Sequence, residues 1–129
     1  MGELIEKDLS YKIVGVLFDV YRELGGGYQE KYYQRAVAEG LKQRSVTFVE
    51  QIVVPLSYGE VSIGRYFLDF LIENRVVLEL KSTPRLYPRD IKQVLSYLNV
   101  KKIELGILAN FNRTGLETRR ILRSLRDQK

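Results

Sequence analysis

The sequence predicts an α/β fold in which a mixed β-sheet is flanked by helices, with the element order ααβββαβα. Apolar residues recur at helical spacing over the N-terminal third, and three strand-like segments then follow one another across short turns. An amphipathic helix separates the last of these from a fourth apolar strand, which allows a parallel crossover. Because the sequence shows no linker or repeat, one domain is expected over residues 1–129.

Two helices are predicted in the N-terminal third. Residues 9–24 carry apolar side chains at helical spacing, and Gly25-Gly26-Gly27 ends this first helix. Residues 28–44 predict the second helix. Its inner face is expected to consist of Tyr33, Ala36, Val37, Gly40 and Leu41.

A meander of three strands is predicted next. Residues 46–54 are rich in β-branched side chains and are expected to end as a strand at Pro55. A turn at Tyr58-Gly59-Glu60 leads into a long strand over residues 61–72. The Glu73-Asn74 turn then leads into a third strand over residues 75–81.

The C-terminal part is predicted to alternate between helix and strand. Ser82-Thr83-Pro84 ends the third strand, and Pro88 suits the first turn of a helix that runs to about residue 99. Residues 103–109 predict a buried strand. Residues 114–126 predict a basic terminal helix.

The composition excludes several kinds of chemistry. The chain contains neither cysteine nor histidine, which excludes disulfides, thiolate metal sites and histidine-based catalysis. No apolar run approaches the roughly 20 residues of a membrane span. The first residues also lack the basic start and apolar stretch of a signal peptide, so a cytoplasmic protein without a membrane partner is expected.

Positive charge is concentrated in the C-terminal part. Residues 81–129 contain twelve basic and four acidic residues, whereas residues 1–80 contain nine and twelve. Clustered lysines and arginines displace counterions from phosphates, so this asymmetry fits a polyanion partner. The alternative is a basic surface that serves only solubility.

Three charged residues lie within strand-like apolar sequence, namely Asp69, Glu79 and Lys81. Charges in such segments cost free energy unless they are paired or bind a metal. Alternation along a strand places Glu79 and Lys81 on one face, and a hairpin return brings Asp69 alongside. This acidic cup with an ammonium at its rim suits a hard divalent cation and a phosphate. A simple ion pair between neighbouring strands is the alternative.

The order of the predicted elements, together with Asp69, Glu79 and Lys81, resembles the PD-(D/E)XK nuclease superfamily. The Asp…Glu-x-Lys motif corresponds to Asp69…Glu79-Leu80-Lys81, and a Gln-x-x-x-Tyr motif on the following helix corresponds to Gln93…Tyr97. More narrowly, the chain resembles a bacterial and archaeal family named for Gly-x-x-Glu-x-x-Tyr, which stands here as Gly27…Glu30…Tyr33. The resemblance covers residues 9–122 and implies a restriction-endonuclease-like core.

The resemblance also implies a Mg²⁺ site, with Mn²⁺ as the alternative cation. Asp69, Glu79 and the carbonyl group of Leu80 would be its ligands, since Mg²⁺ prefers oxygen ligands. Lys81 would position the attacking water or stabilise charge on the phosphate. Glu30 would lie at the edge of the site, as a ligand through water or an orienting base. The alternative for Glu30 is a first-turn carboxylate stabilised by the helix dipole.

The helix that begins near Pro88 carries further candidates. Gln93 and Tyr97 are four residues apart and therefore share a helical face. By resemblance, Gln93 would hold Lys81, the water or a phosphate. A core position is favoured for Tyr97, which is also kept as a candidate nucleic-acid contact. The basic residues assigned to nucleic-acid binding are Arg85, Arg89, Lys92, Arg119, Arg120 and Arg123, with a solvated helical face as the alternative for the terminal three.

Two function classes follow from these observations. The first is a metal-dependent nuclease that hydrolyses phosphodiester bonds, with DNA favoured over RNA as the substrate. The second is a non-catalytic module of the same fold that binds nucleic acid or a protein partner. Retention of Asp69, Glu79, Lys81 and Gln93 favours the enzyme. A homodimer or larger assembly is expected, because a small domain offers limited surface for substrate recognition.

Overall fold

The computed structural model describes residues 5–123, which form three helices and five strands. In chain order the elements are α1 (Lys7–Leu24), α2 (Glu30–Gln43), β1 (Phe48–Tyr58), β2 (Val61–Ile72), β3 (Val76–Lys81), α3 (Pro88–Lys101), β4 (Leu105–Asn112) and β5 (Gly115–Leu122). None of these helices is both long and apolar enough to cross a membrane.

The five strands form one mixed sheet in the order β1-β2-β3-β4-β5. All neighbours are antiparallel except β3 and β4, which α3 connects as a parallel pair. The sheet is the middle of three layers: α1 and α2 pack on one face and α3 on the other. The predicted mixed α/β fold with flanking helices is therefore confirmed.

The prediction of a basic terminal helix is wrong. Gly115–Leu122 is a strand that pairs antiparallel with β4 after a turn at Arg113-Thr114. Leucine, glutamate and arginine favour a helix locally, but the open edge of β4 offers hydrogen-bond partners along the whole segment. Arg126, the last residue of the predicted helix, lies outside the described residues.

The prediction that the first strand ends at Pro55 is wrong. Strand β1 continues to Tyr58. Pro55 cannot donate a backbone hydrogen bond, but β1 is the edge strand of the sheet and tolerates that loss. Smaller differences occur at other ends: α2 starts at Glu30, and β4 begins at Leu105 and continues to Asn112.

The apolar side chains of β2 change from one face of the sheet to the other at Asp69. Leu68 packs in the cluster beneath α3, whereas Phe70 packs in the cluster beneath α1 and α2, although residues two apart on a regular strand share a face. The β1–β2 ladder skips Asp69 and its neighbour Gln51, whose φ of 56° is left-handed. On the other side of β2, the ladder with β3 ends at Phe70 and Leu78, so the two strands part at Asp69 and leave a gap there.

Candidate active site

Asp69 and Glu79 face each other where β2 and β3 part. The last paired residues of the two strands are Phe70 and Leu78, so Asp69 and Glu79 would be the next pair. Instead, the Asp69 backbone N–H donates to Glu79 Oε1 (2.9 Å), and the Leu80 backbone N–H donates to Asp69 Oδ2 (2.8 Å). The two carboxyl groups thus take the place of ladder carbonyls, and each is held by a backbone N–H.

Burial makes the negative charge on these two groups costly. Glu79 is only 6% exposed. Burial, followed by the nearby Asp69 charge, raises the pKa of Glu79 to about 8. Burial also raises the pKa of Asp69, against the opposing effect of its hydrogen bonds from Leu80 and with Glu79. Without a cation, the pair therefore retains a proton at neutral pH.

The donor set fits a hard divalent cation. A cation between Asp69 and Glu79 would replace the retained proton and relieve the repulsion between the two buried carboxylates. Because the N–H and C=O of a strand residue point to the same side, the Leu80 carbonyl faces the gap into which its N–H donates. Residues 5–123 contain no ready-made cage of three metal-binding side chains, but Mg²⁺ commonly uses one or two carboxylates and several waters.

Lys81 lies beside this pair at the end of β3. Its Nζ atom is 3.5 Å from Glu79 Oε2 and 3.7 Å from Asp90 Oδ1. Burial alone lowers the pKa of Lys81, but the charges of Glu79, Glu30 and Asp90 outweigh it and raise the pKa above its ordinary value. Lys81 therefore remains an ammonium group at the rim of the gap that Asp69 and Glu79 line, which we call the acidic gap.

Sequence reasoning did not identify Asp90 as a member of the site. Asp90 is 4% exposed, and its Oδ2 accepts a hydrogen bond from the Tyr87 backbone N–H (2.9 Å) at the start of α3. Its other oxygen faces Lys81. The only signal in the sequence was an aspartate three residues after Tyr87, which is common where a helix begins.

The Gln93 side chain makes no hydrogen bond to Lys81, and Tyr97 lies in the core. The Gln93 backbone carbonyl accepts a hydrogen bond from the Tyr66 hydroxyl (3.1 Å), and no hydrogen bond of its side chain occurs among the described residues. Lys81 is paired with Asp90 instead. Tyr97 is 5% exposed in the core beneath α3, which agrees with the favoured core position and corrects its assignment as a nucleic-acid contact.

Glu30, the first residue of α2, belongs to the same cluster of charges. Its side chain is exposed, yet partial burial of the carboxyl group raises its pKa. The Lys81 charge opposes this rise, while Asp69 and Asp90 add to it, so these groups interact across the end of the sheet. The N-termini of α2 and α3 thus approach the end of β3 from opposite layers.

The loop before Glu30 is fixed by Tyr33. The Tyr33 hydroxyl donates to the Gly25 carbonyl oxygen (2.6 Å) and accepts from the Tyr28 backbone N–H (3.2 Å). Its ring is fully buried and stacks on Phe111 of β4, with 4.1 Å between ring centroids. Tyr33 therefore anchors the loop to the sheet and sets where α2 begins.

The basic candidates fall into two groups. Arg85 and Arg89 are exposed and lie over the Tyr87 ring at 5.0 and 5.1 Å from its centroid, in the loop and first turn that follow Lys81. Lys92 is exposed on the same helix. These three residues follow Lys81 in the sequence, are exposed to solvent and stay candidates for contact with a phosphate backbone.

Arg119 and Arg120 lie on β5, and Arg123 directly follows it; of these three arginines, only Arg119 is exposed. Arg120 donates to Ser10 Oγ (2.9 Å) and to the Ile5 carbonyl (2.8 Å), and Arg123 forms an ion pair with Glu104 (2.6 Å). Strand β5 starts at the end of the sheet that carries Lys81 and runs toward the opposite end. Arg120 and Arg123 therefore lie away from the site, where their contacts stabilise the fold. We therefore no longer assign them to nucleic-acid binding.

The family assignment agrees with this geometry. The model of the PD-(D/E)XK nuclease superfamily matches residues 7–121. The chain belongs to this superfamily. In PD-(D/E)XK proteins the motif's two acidic residues and lysine give the superfamily its name, and Asp69, Glu79 and Lys81 stand in that order on β2 and β3. The narrower Gly-x-x-Glu-x-x-Tyr family remains a resemblance.

Solved structures with the same fold include two that are distant in sequence. One is described as the crystal structure of SSO0001, with 17% identity, a TM-score of 0.56, and coverage of 74% of this chain and 52% of that one. The other is an alkaline exonuclease (LHK-Exo) from Laribacter hongkongensis, with 12% identity, a TM-score of 0.50, and coverage of 73% and 55%. This chain thus spans about half the length of each. Among curated proteins, none matches it.

Proposed function

We propose that this PD-(D/E)XK protein is a metal-dependent nuclease that hydrolyses phosphodiester bonds of nucleic acid, with DNA favoured over RNA. The observation that carries the proposal is the placement of Asp69 and Glu79 in one gap, with the Lys81 ammonium 3.5 Å from the second carboxylate. A structural ion pair with Lys81 needs only one carboxylate. A second buried carboxyl group adds a free-energy cost of burial, which a bound cation would offset.

Asp69, Glu79 and the Leu80 carbonyl would hold Mg²⁺ or Mn²⁺. When bound, the cation would supply a water of lowered pKa and neutralise charge on the phosphate. Gln93 stays a candidate for contact with the water or the phosphate.

Lys81 has the charge and position to act on the reacting phosphate. It keeps its proton because the carboxylates around it raise its pKa. It can therefore orient the attacking water or stabilise negative charge that develops on a phosphate oxygen. Glu30, whose pKa is raised, can accept a hydrogen bond or a proton from water at the rim.

The test compares wild-type protein with Asp69→Asn on labelled single- and double-stranded DNA and RNA. Each substrate is incubated with Mg²⁺, with Mn²⁺ and with EDTA. We expect cleavage by the wild type only with a cation, and a loss of at least about a hundredfold in the variant. Asp8→Asn, in the first turn of α1, serves as the matched control.

Two outcomes would contradict the proposal. Equal cleavage by the wild type and Asp69→Asn would place the activity elsewhere. Salt-sensitive binding without cleavage of any substrate would support the non-catalytic module instead. The cytoplasmic location and the homodimer or larger assembly stay predictions from the sequence.

A further inference from the structure

A cleft of about 420 Å³ adjoins the candidate active site. Three segments line it: residues 27–29 before α2, residues 82–84 after β3, and the end of β4 with the turn that follows. Gln29 directly precedes Glu30, and Ser82 directly follows Lys81, so the cleft begins where the acidic gap ends. Its volume lies within the roughly 300–1,000 Å³ of small-ligand sites.

The walls of the cleft are fixed by side-chain hydrogen bonds. The Asn110 side chain is fully buried and hydrogen-bonds to both backbone polar groups of Thr83. Its Oδ1 accepts from the Thr83 N–H and its Nδ2 donates to the Thr83 carbonyl, each at 2.9 Å. Asn112 Nδ2 donates to the Pro84 carbonyl at 2.6 Å. The 82–84 segment is therefore tied to β4 and forms a preformed wall.

The opposite wall is equally constrained. Gly26 lies so close to the backbone of Asn112 and Arg113 that a Cβ atom there would collide with it. The Tyr28 backbone is held at both polar groups, since its N–H donates to the Tyr33 hydroxyl (3.2 Å) and its carbonyl accepts from Ser82 Oγ (2.7 Å). The loop that carries Tyr28 is thus clamped between α2 and the sheet.

The Tyr28 ring nevertheless remains half-exposed at the cleft. It is 50% exposed, and its contacts with the Tyr32 and Tyr33 rings are edge-to-face at 6.0–6.5 Å between centroids. An exposed aromatic ring on a rigid backbone loses little conformational entropy when it stacks on a ligand. This combination is typical of stacking platforms for single-stranded nucleic acid.

Positive charge surrounds the ring. Arg113 is exposed on the other rim of the cleft and forms no ion pair among residues 5–123. On the near side, Lys31 and Arg35 lie over the Tyr32 ring at 5.2 and 5.7 Å from its centroid. Cations beside exposed aromatic rings suit a ligand that presents phosphates and flat bases together.

We propose that this cleft binds one unpaired nucleotide of a single-stranded nucleic acid, adjacent to the phosphate that the acidic gap would receive. This inference rests on the proposed nuclease function for the role of the gap. Tyr28 stacks on the base, and Arg113 contacts the neighbouring phosphate. A base within a duplex is stacked on both faces and paired along one edge, so it cannot stack on Tyr28, and the cleft selects a single strand.

The experiment measures fluorescence anisotropy of labelled oligothymidylate, oligouridylate and a DNA duplex in EDTA, where no cation supports cleavage. The variants are Tyr28→Ala, Tyr28→Phe and Arg113→Ala. Tyr11→Ala and Arg75→Ala are matched controls, because Tyr11 is 81% exposed on α1 and Arg75 precedes β3 at the end opposite Lys81. The DNA and RNA strands distinguish the two sources of an unpaired nucleotide.

We expect Tyr28→Ala to weaken single-strand binding by about 5- to 150-fold, the effect of one lost base stack. Tyr28→Phe should bind like the wild type, since it keeps the ring. Arg113→Ala should reduce the slope of log affinity against log salt by about 0.7. Duplex binding should be unchanged by the Tyr28 substitutions, and both controls should match the wild type.

Equal single-strand binding by Tyr28→Ala, Arg113→Ala and the controls would overturn the inference, as would a wild type that binds neither single strand. A parallel cleavage assay separates this result from the proposed function. Cation-dependent cleavage with unchanged binding in the variants rejects the cleft and leaves the nuclease. Variant-specific loss of binding in a protein that cleaves nothing supports the cleft and rejects the nuclease.

Discussion

The Asp69 backbone N–H donates to the Glu79 carboxylate at 2.9 Å, in the position where a regular sheet would have the next backbone hydrogen bond. The reciprocal contact, from the Leu80 N–H to Asp69 at 2.8 Å, completes the exchange. Two strands that separate would leave backbone donors unpaired in the interior. Here the carboxyl groups satisfy those donors, so the same side chains stabilise the split and supply the acidic gap.

The first prediction concerns stability and pH without a cation. The pKa of Glu79 is raised from 4.5 to about 8, so the folded state keeps a proton that the unfolded state has lost. Stability is therefore greatest below the unfolded pKa and falls as pH rises to about 8, by up to about 1.4 kcal/mol per pH unit. Asp69 acts in the same direction.

Urea unfolding in EDTA across this range checks the first prediction. Glu79→Gln should remove most of the pH dependence and be more stable than the wild type at the alkaline end. Glu60→Gln, in the β1–β2 turn, is the matched control and should behave like the wild type. A wild-type stability that is constant or rises with pH would show that Glu79 is ionised in the folded protein.

The second prediction concerns cation binding. Mg²⁺ that binds only the folded state should raise the thermal midpoint, with a stabilisation of about 2.7 kcal/mol at a hundredfold excess over Kd. The effect should be larger at pH 8 than at pH 5, because at low pH the cation competes with the retained proton. Thermal scans with and without Mg²⁺ measure it. A shift that persists in Asp69→Asn and Glu79→Gln would rule out this pair as the ligands.

The third prediction assigns Asp90 a positioning role for Lys81. Asp90→Asn keeps an oxygen that accepts from the Tyr87 N–H but removes the charge 3.7 Å from Lys81. We expect cleavage to fall about tenfold, equivalent to about 1.4 kcal/mol, with little change in folding stability. Asp90→Ala should lose the same activity and a further ~1 kcal/mol of stability through the lost helix cap. Identical rates for Asp90→Asn and the wild type would exclude this role.

The fourth prediction concerns the loop before α2. Tyr33→Phe removes a hydroxyl that bridges the Gly25 carbonyl and the Tyr28 N–H, while the ring keeps its stack on Phe111. We expect a loss of about 1–3 kcal/mol in the free energy of unfolding, because two backbone groups lose a partner. Tyr11→Phe, at an 81% exposed position, is the control and should be neutral. An equally neutral Tyr33→Phe would mean that water replaces the hydroxyl.

The central motif could be predicted because its determinants are local. Alternation along two strands joined by a tight turn places Asp69 opposite Glu79, and Lys81 on the face of Glu79. The substitution of side-chain carboxyls for ladder carbonyls could not be predicted, because the sequence does not show that the β2–β3 ladder ends at Phe70 and Leu78.

Two other features depended on packing that sequence patterns do not record. The segment of β5 contains good helix formers, and its strand conformation is decided by the free edge of β4. Asp90 resembles an ordinary capping residue, and its contact with Lys81 exists only because α3 packs across the end of β3. The family motif instead predicted that Gln93 would contact Lys81. The Gln93 side chain forms no hydrogen bond within residues 5–123.

The central claim is that Lys81 acts on a phosphodiester at the gap formed by Asp69 and Glu79. The most direct measurement is the single-turnover rate of cleavage of a labelled single-stranded DNA in Mg²⁺ by the wild type, Lys81→Ala and Lys101→Ala. Lys101, the exposed last residue of α3, is the matched control. We predict a loss of about 10²–10³ for Lys81→Ala and none for Lys101→Ala. Equal rates for Lys81→Ala and the wild type would contradict the claim.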